Sequence, residues 1–352
     1  MSIETDEPRG DVAAPPSRPA RRLRTAIPLV IVLVLLAELA IRAAAPKLRD
    51  PLLWPDWEAA HKVTAMDQLA ASRGGASVVF VGSSMVNAGF SAELATQLLG
   101  GSRPVFNAAL NGSDLRMTDV WTRGVVVPRL HPKVVVLGFN SGELNDHWQA
   151  PTSLITKMLQ SPYGKRAAGV GGPLATIDAS LMDRSYLMRY RSVLRSPWDA
   201  LVGTDKAEKN QRVGRLGRFL ALRNFQKRPY SPGLATMLGV WDGVFRNYRP
   251  GGVQFAALDR LVSFLTERKI RVVLVRMPVT KDIIPLMPRG VADRERFGRA
   301  IAGFVSSHPV TFIDAESAIG ASTDLFVDPL HLNTTGAVRC TTLVVDDLRR
   351  LG

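Results

Sequence analysis

Apolar positions in this chain follow three patterns, and each predicts a different element. The longest is continuous: Ala26 to Ala45, AIPLVIVLVLLAELAIRAAA, is about the length a helix needs to cross a hydrocarbon layer, interrupted only by Glu38 and Arg42. These two lie four residues apart on one helical face, where they can pair, and Arg42 near the end can extend toward water. The second pattern is a set of five short β-branched runs: Ser77 to Val81, Val105 to Asn107, Val134 to Gly138, Val272 to Arg276 and Val310 to Ile313. Most are apolar without alternation, as strands of a sheet buried on both faces must be. The third is helical spacing. It is clear in Ser91 to Leu99, where Ser91 can cap and Gly100-Gly101 can terminate. It recurs in Phe255 to Arg268, with Phe255, Leu258, Leu261, Val262 and Leu265 on one stripe, and a last helix is expected over Thr335 to Leu351.

Strands separated by helices imply right-handed crossovers, so the pattern predicts an α/β fold with a doubly wound, flavodoxin-like parallel sheet of five strands. Five segments follow: a disordered tail over 1–25, a transmembrane anchor over 26–45, a linker and helical lead-in over 46–75, an α/β domain from 76–150 and 251–352, and a helical insertion over 151–250. Arg9, Arg18, Arg21, Arg22 and Arg24 precede the apolar span and only Arg42, Lys47 and Arg49 lie close behind it, so the tail is expected in the cytoplasm and the body outside. A cleaved signal peptide is the competing reading, because Ala43-Ala44-Ala45 suits a cleavage site. Pro46 directly after it and the long polar tail favour an uncleaved anchor, and both readings export the body. No later stretch approaches eighteen apolar residues, so a single pass is expected.

Composition sharpens this picture in two places. The 352 residues are 46% hydrophobic, enough for a packed core, and the lone Cys340 excludes an intramolecular disulfide. The formal charge is +14, and residues 151–250 hold seventeen Lys/Arg against six acids, so +11 of it is local to the insertion. Tyr190, Trp198, Phe219, Phe225, Tyr230 and Trp241 are interleaved with those cations. An exported domain makes nucleic acid an unexpected partner; an anionic or glycan substrate, anionic lipid, and a merely solvated cap are the readings that composition leaves open.

In an open α/β sheet, functional residues sit in loops past the carboxyl ends of the strands. After the first strand, Gly82-Ser83-Ser84 brings a hydroxyl to a helix start, where backbone N–H groups favour developing negative charge. The second is followed by Asn111-Gly112-Ser113, an invitation to a tight turn, and the third by Gly138-Phe139-Asn140-Ser141, with Asn145-Asp146 beyond. After the fifth, Asp328-Pro329-Leu330-His331-Leu332-Asn333 sets an acid three residues before an imidazole, a spacing suited to a base and the group that fixes its tautomer. Each taken alone is ordinary turn or capping chemistry. The remaining histidines, His61, His131, His147 and His308, lack metal-ligand spacing, so no metal or other cofactor is expected.

Taken in order along the chain, these blocks resemble those of the SGNH, or GDSL-like, hydrolases: GSS for the first block, NGS for the second, GFN for the third and DPLHLN for the last. The resemblance covers roughly residues 76–145 and 252–350. It implies Ser84 as nucleophile, His331 as general base, Asp328 as its orienter, and an oxyanion hole from the N–H groups of Ser84 and Gly112 with the Asn140 side chain. Ser83 stands where the family usually has Asp, leaving Ser83 as the alternative hydroxyl, and Ser141 replaces a frequent Asp. The expected activity is a membrane-anchored serine esterase or O-acyltransferase acting on an acylated cell-envelope glycan or polymer. A tethered domain of this kind is similar to accessory proteins of envelope polymer acylation, which work with a membrane-bound O-acyltransferase. The alternatives are a catalytically idle scaffold of the same fold that binds a glycan or such a partner, and an exported nucleic-acid binder resting on charge alone.

Overall fold

A computed structural model of the chain describes residues 19–45, 57–100, 104–148, 162–168, 171–191, 194, 212–232 and 244–350. Most of the polar tail, Pro46 and the middle of the insertion, with Trp198 and Trp241, lie outside the described residues. The chain divides into two compact units, one of residues 1–51 and 181–201, the other of residues 52–180 and 202–352.

In the first unit, helix α1 spans Pro19–Ala44. It starts seven residues before the expected anchor, so the end of the tail, expected disordered, is helical: Pro19 needs no N–H partner in the first turn, and the apolar run behind it propagates the helix. Ala26–Ala44 is long and apolar enough to cross a membrane, with a mean hydropathy of 2.4. Within the span Glu38 pairs with Arg42 and also holds part of the insertion. It accepts hydrogen bonds from the Ser185 hydroxyl and from the N–H groups of Tyr186 and Leu187, the start of a short helix, Tyr186–Arg189.

The second unit is built on five parallel strands, β1 (Val78–Val81), β2 (Val105–Asn107), β3 (Val134–Phe139), β4 (Arg271–Arg276) and β5 (Thr311–Asp314), in the order β2-β1-β3-β4-β5. This is the doubly wound order expected from the sequence. The chain steps from β1 to β2 on one side and returns from β2 past β1 to β3 on the other, so crossovers of the usual right hand divide the helices between two faces. Helices α3 (Ser84–Gly89) and α4 (Ala92–Leu99) pack with the last helix, here α8 (Thr334–Arg350); α5 (Leu115–Trp121) packs with α6 (Gly252–Glu267). Helix α2 (Trp57–Arg73) precedes β1, and α7 (Val291–Ser307) joins β4 to β5. Ser91 caps α4 and Gly100 ends it in the left-handed conformation.

All four residues of β1 and all three of β2 are buried, and Phe80 and Phe106 are wholly inside. Burying each such ring contributes about 1.5–3 kcal/mol. The insertion's end joins this core: Val244, Phe245 and Tyr248 are buried in it, and Asn145 donates to the Val244 carbonyl at 2.7 Å and accepts from the Arg249 N–H at 3.0 Å. Asn145 is thus a structural clamp.

The sheet admits no side chain at Gly138, where a Cβ would meet Val86 Cγ2 at 2.4 Å and Met277 Sδ at 2.9 Å. Gly138→Ala is expected to lower stability by about 1–3 kcal/mol, as overpacking does, and adding Val86→Ala should recover part of that loss. Thermal unfolding of the full chain in detergent checks this; losses that simply add would show that the two positions do not compete for space.

Candidate active site

The chain leaves β1 through Gly82 at φ +144°, a conformation that favours glycine, and with so little room that a Cβ would lie 2.5 Å from the Gly138 carbonyl oxygen. This turn makes Ser83 the N-cap of α3 and Ser84 its first residue, whose N–H belongs to the first turn and is not used within the helix. The two hydroxyls then part company. Ser83 Oγ is buried, accepts the Met85 N–H at 3.3 Å and bonds to the Glu143 carboxylate. Ser84 Oγ lies 2.8 Å from His331 Nε2. Of the two serines, only Ser84 meets the imidazole.

His331 Nδ1 is 2.8 Å from Asp328 Oδ2 and 3.0 Å from Oδ1. A carboxylate only accepts, so Nδ1 carries the proton and Nε2 is left to accept from Ser84. Asp328 Oδ1 also accepts the N–H groups of Leu330 at 2.9 Å and His331 at 2.8 Å, closing a turn that fixes acid and imidazole together. The Val327 N–H donates to the His331 carbonyl at 2.9 Å and the Phe326–Leu332 bridge closes the loop below. Burial works to raise the Asp328 carboxyl, but the hydrogen bond and charge of His331 and the two N–H donors outweigh it and hold it below the usual carboxylate range. With 13% and 14% of their side chains exposed, His331 and Asp328 are at the surface of the site and still reachable.

The other two loops converge on the same turn. The Gly82 carbonyl accepts the Leu110 N–H at 2.9 Å and the Ser113 hydroxyl at 3.0 Å, so both flanks of Gly112, at φ +72°, are tied two residues from Ser84. Asn140 Oδ1 accepts the Gly142 N–H at 2.6 Å, which turns Nδ2 the other way, onto the sulfur of Met85 beside Ser84. The structure therefore brings Ser84, Gly112, Asn140, Asp328 and His331 to one edge of the sheet.

Several residues that hold this arrangement carried no signal in the sequence. From α2, the lead-in helix, Glu58 accepts Asn87 Nδ2 at 2.6 Å and the Asn111 N–H at 3.0 Å, next to Gly112. Lys62, wholly buried, sits 3.4 Å from Glu58 and donates to the carbonyls of Asn107, at 3.3 Å, and Ala109. Behind Asn140, Glu143 accepts its N–H at 2.8 Å. From the insertion, the Phe225 ring meets the His331 ring in a T-shaped contact, with centroids 5.6 Å apart and planes at 84°.

No family model matches the chain, and no curated protein matches it. Solved structures do align with it. A candidate acylhydrolase from Bacteroides fragilis aligns at a TM-score of 0.41 and 12% identity over 84% of this chain and 98% of the other. A GDSL-like lipase from Bacteroides thetaiotaomicron gives 0.40 and 9% over 84% and 100%. A catalytic mutant of an acetylxylan esterase from Geobacillus stearothermophilus gives 0.38 and 11% over 78% and 95%. Likeness of this order carries no chemistry across, so the reading of the site rests on its own distances.

Burial pushes the Glu143 carboxyl up to about 7, against the hydrogen bonds from Ser83 and the Asn140 N–H, with Asp114 adding to the rise and His331 opposing it. A carboxyl raised in the folded state contributes most to stability below its unfolded pKa of 4.5, and the contribution is lost as pH climbs through about 7. The loss amounts to about 3 kcal/mol. Glu143→Gln removes it, so the variant's melting temperature relative to the parent should rise by about 5 °C between pH 5 and pH 8. Thermal unfolding of both full chains in detergent at the two pH values checks this, and a difference independent of pH would contradict it.

Proposed function

We propose that this protein is a membrane-anchored serine esterase or O-acyltransferase whose α/β domain faces outward and acts on an acyl ester of a cell-envelope glycan or polymer. The observation that carries the reading is the continuous relay from Ser84 through His331 to Asp328, each hydrogen bond 2.8 Å long. A hydroxyl is a weak nucleophile until a base takes its proton, and the base needs a group that fixes its tautomer and stabilises its cation.

On this reading Ser84 Oγ attacks the ester carbonyl as its proton passes to His331 Nε2, and Asp328 stabilises the imidazolium. The oxyanion is received by the Ser84 and Gly112 N–H groups and Asn140 Nδ2. The carbon–oxygen bond to the leaving alcohol breaks as His331 returns the proton to that oxygen, leaving an acyl-serine. An acceptor hydroxyl then gives its proton to His331 and attacks the acyl carbon, and Ser84 departs with the proton. Water as acceptor completes hydrolysis; a sugar hydroxyl completes transfer. The apolar Ala26–Ala44 helix behind a basic tail supports anchoring with the body outside, and anchoring supports exchange of acyl groups with a membrane-bound O-acyltransferase.

Hydrolysis of 4-nitrophenyl acetate by the full chain tests the reading. Ser84→Ala and His331→Ala should each lower kcat by about 10³-fold or more, and Asp328→Asn by about 10²-fold or more. Ser83→Ala, which loses a cap and a bond to Glu143, should lower it less than about tenfold. Activity retained in Ser84→Ala would overturn the assignment, and a folded parent with no activity on this or any acetylated glycan would leave a binding scaffold.

A further inference from the structure

Resting on that esterase or acyltransferase reading, we infer that the ester is carried on a polyanion whose repeated negative charges are read by a cationic strap, residues 212–231. This stretch has six cations, Arg212, Arg215, Arg218, Arg223, Lys227 and Arg228, and no acid. A charge run of this kind on its own is most simply a solvated face. What changes the interpretation is where the chain is fixed.

Residues 212–220 form a tight hairpin, closed by the Gly214 N–H to the Arg218 carbonyl at 2.8 Å and the Leu220 N–H to the Arg212 carbonyl at 2.9 Å. Its tip sits on the end of β2, where the Leu216 carbonyl accepts the Asn107 N–H at 2.9 Å. Gly217 is at φ +81°, and a Cβ there would lie 2.1 Å from the Asn107 carbonyl oxygen, so the approach requires glycine. Further along, buried Gln226 donates to the Ala88 carbonyl at 2.7 Å and the Leu332 carbonyl at 3.2 Å, joining the helix that begins at Ser84 to the loop that carries His331. Arg218 is used internally, donating to Gln226 Oε1 at 2.8 Å. Phe225 packs on His331, and the Ser231 N–H reaches the Val327 carbonyl at 2.9 Å. The strap thus runs from the end of β2 to the His331 loop, pinned to the loops of the candidate site along its length.

Its remaining cations are exposed: Arg212, Arg215, Arg223, Lys227 and Arg228. Among the described residues, no carboxylate lies within ion-pair distance of any of the five. The Arg228 guanidinium is 5.9 Å from the centre of the Phe225 ring, which in turn is 5.6 Å from that of His331. A positive charge therefore stands within a distance on the order of a Debye length of the imidazole. Cations of one sign along the rim of a site focus the field into it and raise the local concentration of anions. A single negative charge would need one or two of them; five spread along a strap suit an extended chain with a charge on every repeat, such as a uronate or phosphate polymer.

The test measures binding separately from catalysis, with the full Ser84→Ala chain in detergent micelles and fluorescein-labelled polygalacturonate or dextran as probes, read by anisotropy. Polygalacturonate should bind and dextran should not, and raising salt from about 0.05 to about 0.5 M should weaken binding by about tenfold or more. Combining Arg223→Gln, Lys227→Gln and Arg228→Gln should weaken it by about tenfold, with an unchanged melting temperature showing that the strap remains folded. In the parent enzyme, polygalacturonate should raise the KM for 4-nitrophenyl acetate, which places the polymer at the same site. Equal binding of dextran, binding insensitive to salt or to the triple substitution, or a preference for phosphatidylglycerol vesicles over polygalacturonate would overturn the inference. Absence of esterase activity would instead sink the proposed function, and the binding data would still stand.

Discussion

Between β1 and α3 the backbone turns at Gly82, pressed against the Gly138 carbonyl, and the rest of the site is built from that contact. The turn sets Ser84 at the head of α3. The Gly82 carbonyl holds both flanks of Gly112, and its neighbour Gly138 lies two residues before Asn140. A Cβ at either glycine would push β1, β3 and α3 apart, and three of the groups assigned to the reaction would separate together. A parallel sheet brings the carboxyl ends of its strands to one edge, but only this closeness brings the loops within reach of one another.

Buried charge fixes what the sheet leaves free. Glu58 and Lys62 are removed from water, which is costly unless each is paired and further hydrogen-bonded, and here both are. Lys62 donates to the carbonyls of Asn107 and Ala109 and Glu58 accepts the Asn111 N–H, so the cost of burying the pair is offset by ordering the turn that carries Gly112. Glu143 does the same for Asn140 and Ser83. The lead-in helix is therefore part of the site's scaffold, although it lies far from the other blocks in the sequence.

The sheet was legible because most of its strands are buried on both faces: β-branched runs, most of them without alternation, mark all five to within a residue, and the capping serine and terminating glycine of α4 sit where the pattern predicts them. Ser84, Gly112, Asn140, Asp328 and His331 were legible because loops past parallel strands must converge. Whether Ser83 or Ser84 faces the imidazole depends on α3, whose first turn directs one hydroxyl to Glu143 and the other to His331. Glu58, Lys62, Gln226 and Phe225 were not legible, since each acts through partners dozens or more residues away and none has a local pattern of its own. The insertion's charge was plain in the sequence. Its packing was not, because the hairpin depends on a glycine meeting a carbonyl more than a hundred residues earlier in the chain.

Activation of the Ser84 hydroxyl by His331 can be tested by covalent labelling without any knowledge of the substrate. A fluorophosphonate reacts with activated serines, and mass spectrometry of the labelled full chain locates the adduct. One adduct is expected, on Ser84, retained in Ser83→Ala and lost in His331→Ala. An adduct on another residue, labelling that survives His331→Ala, or a folded chain that takes no label would contradict it.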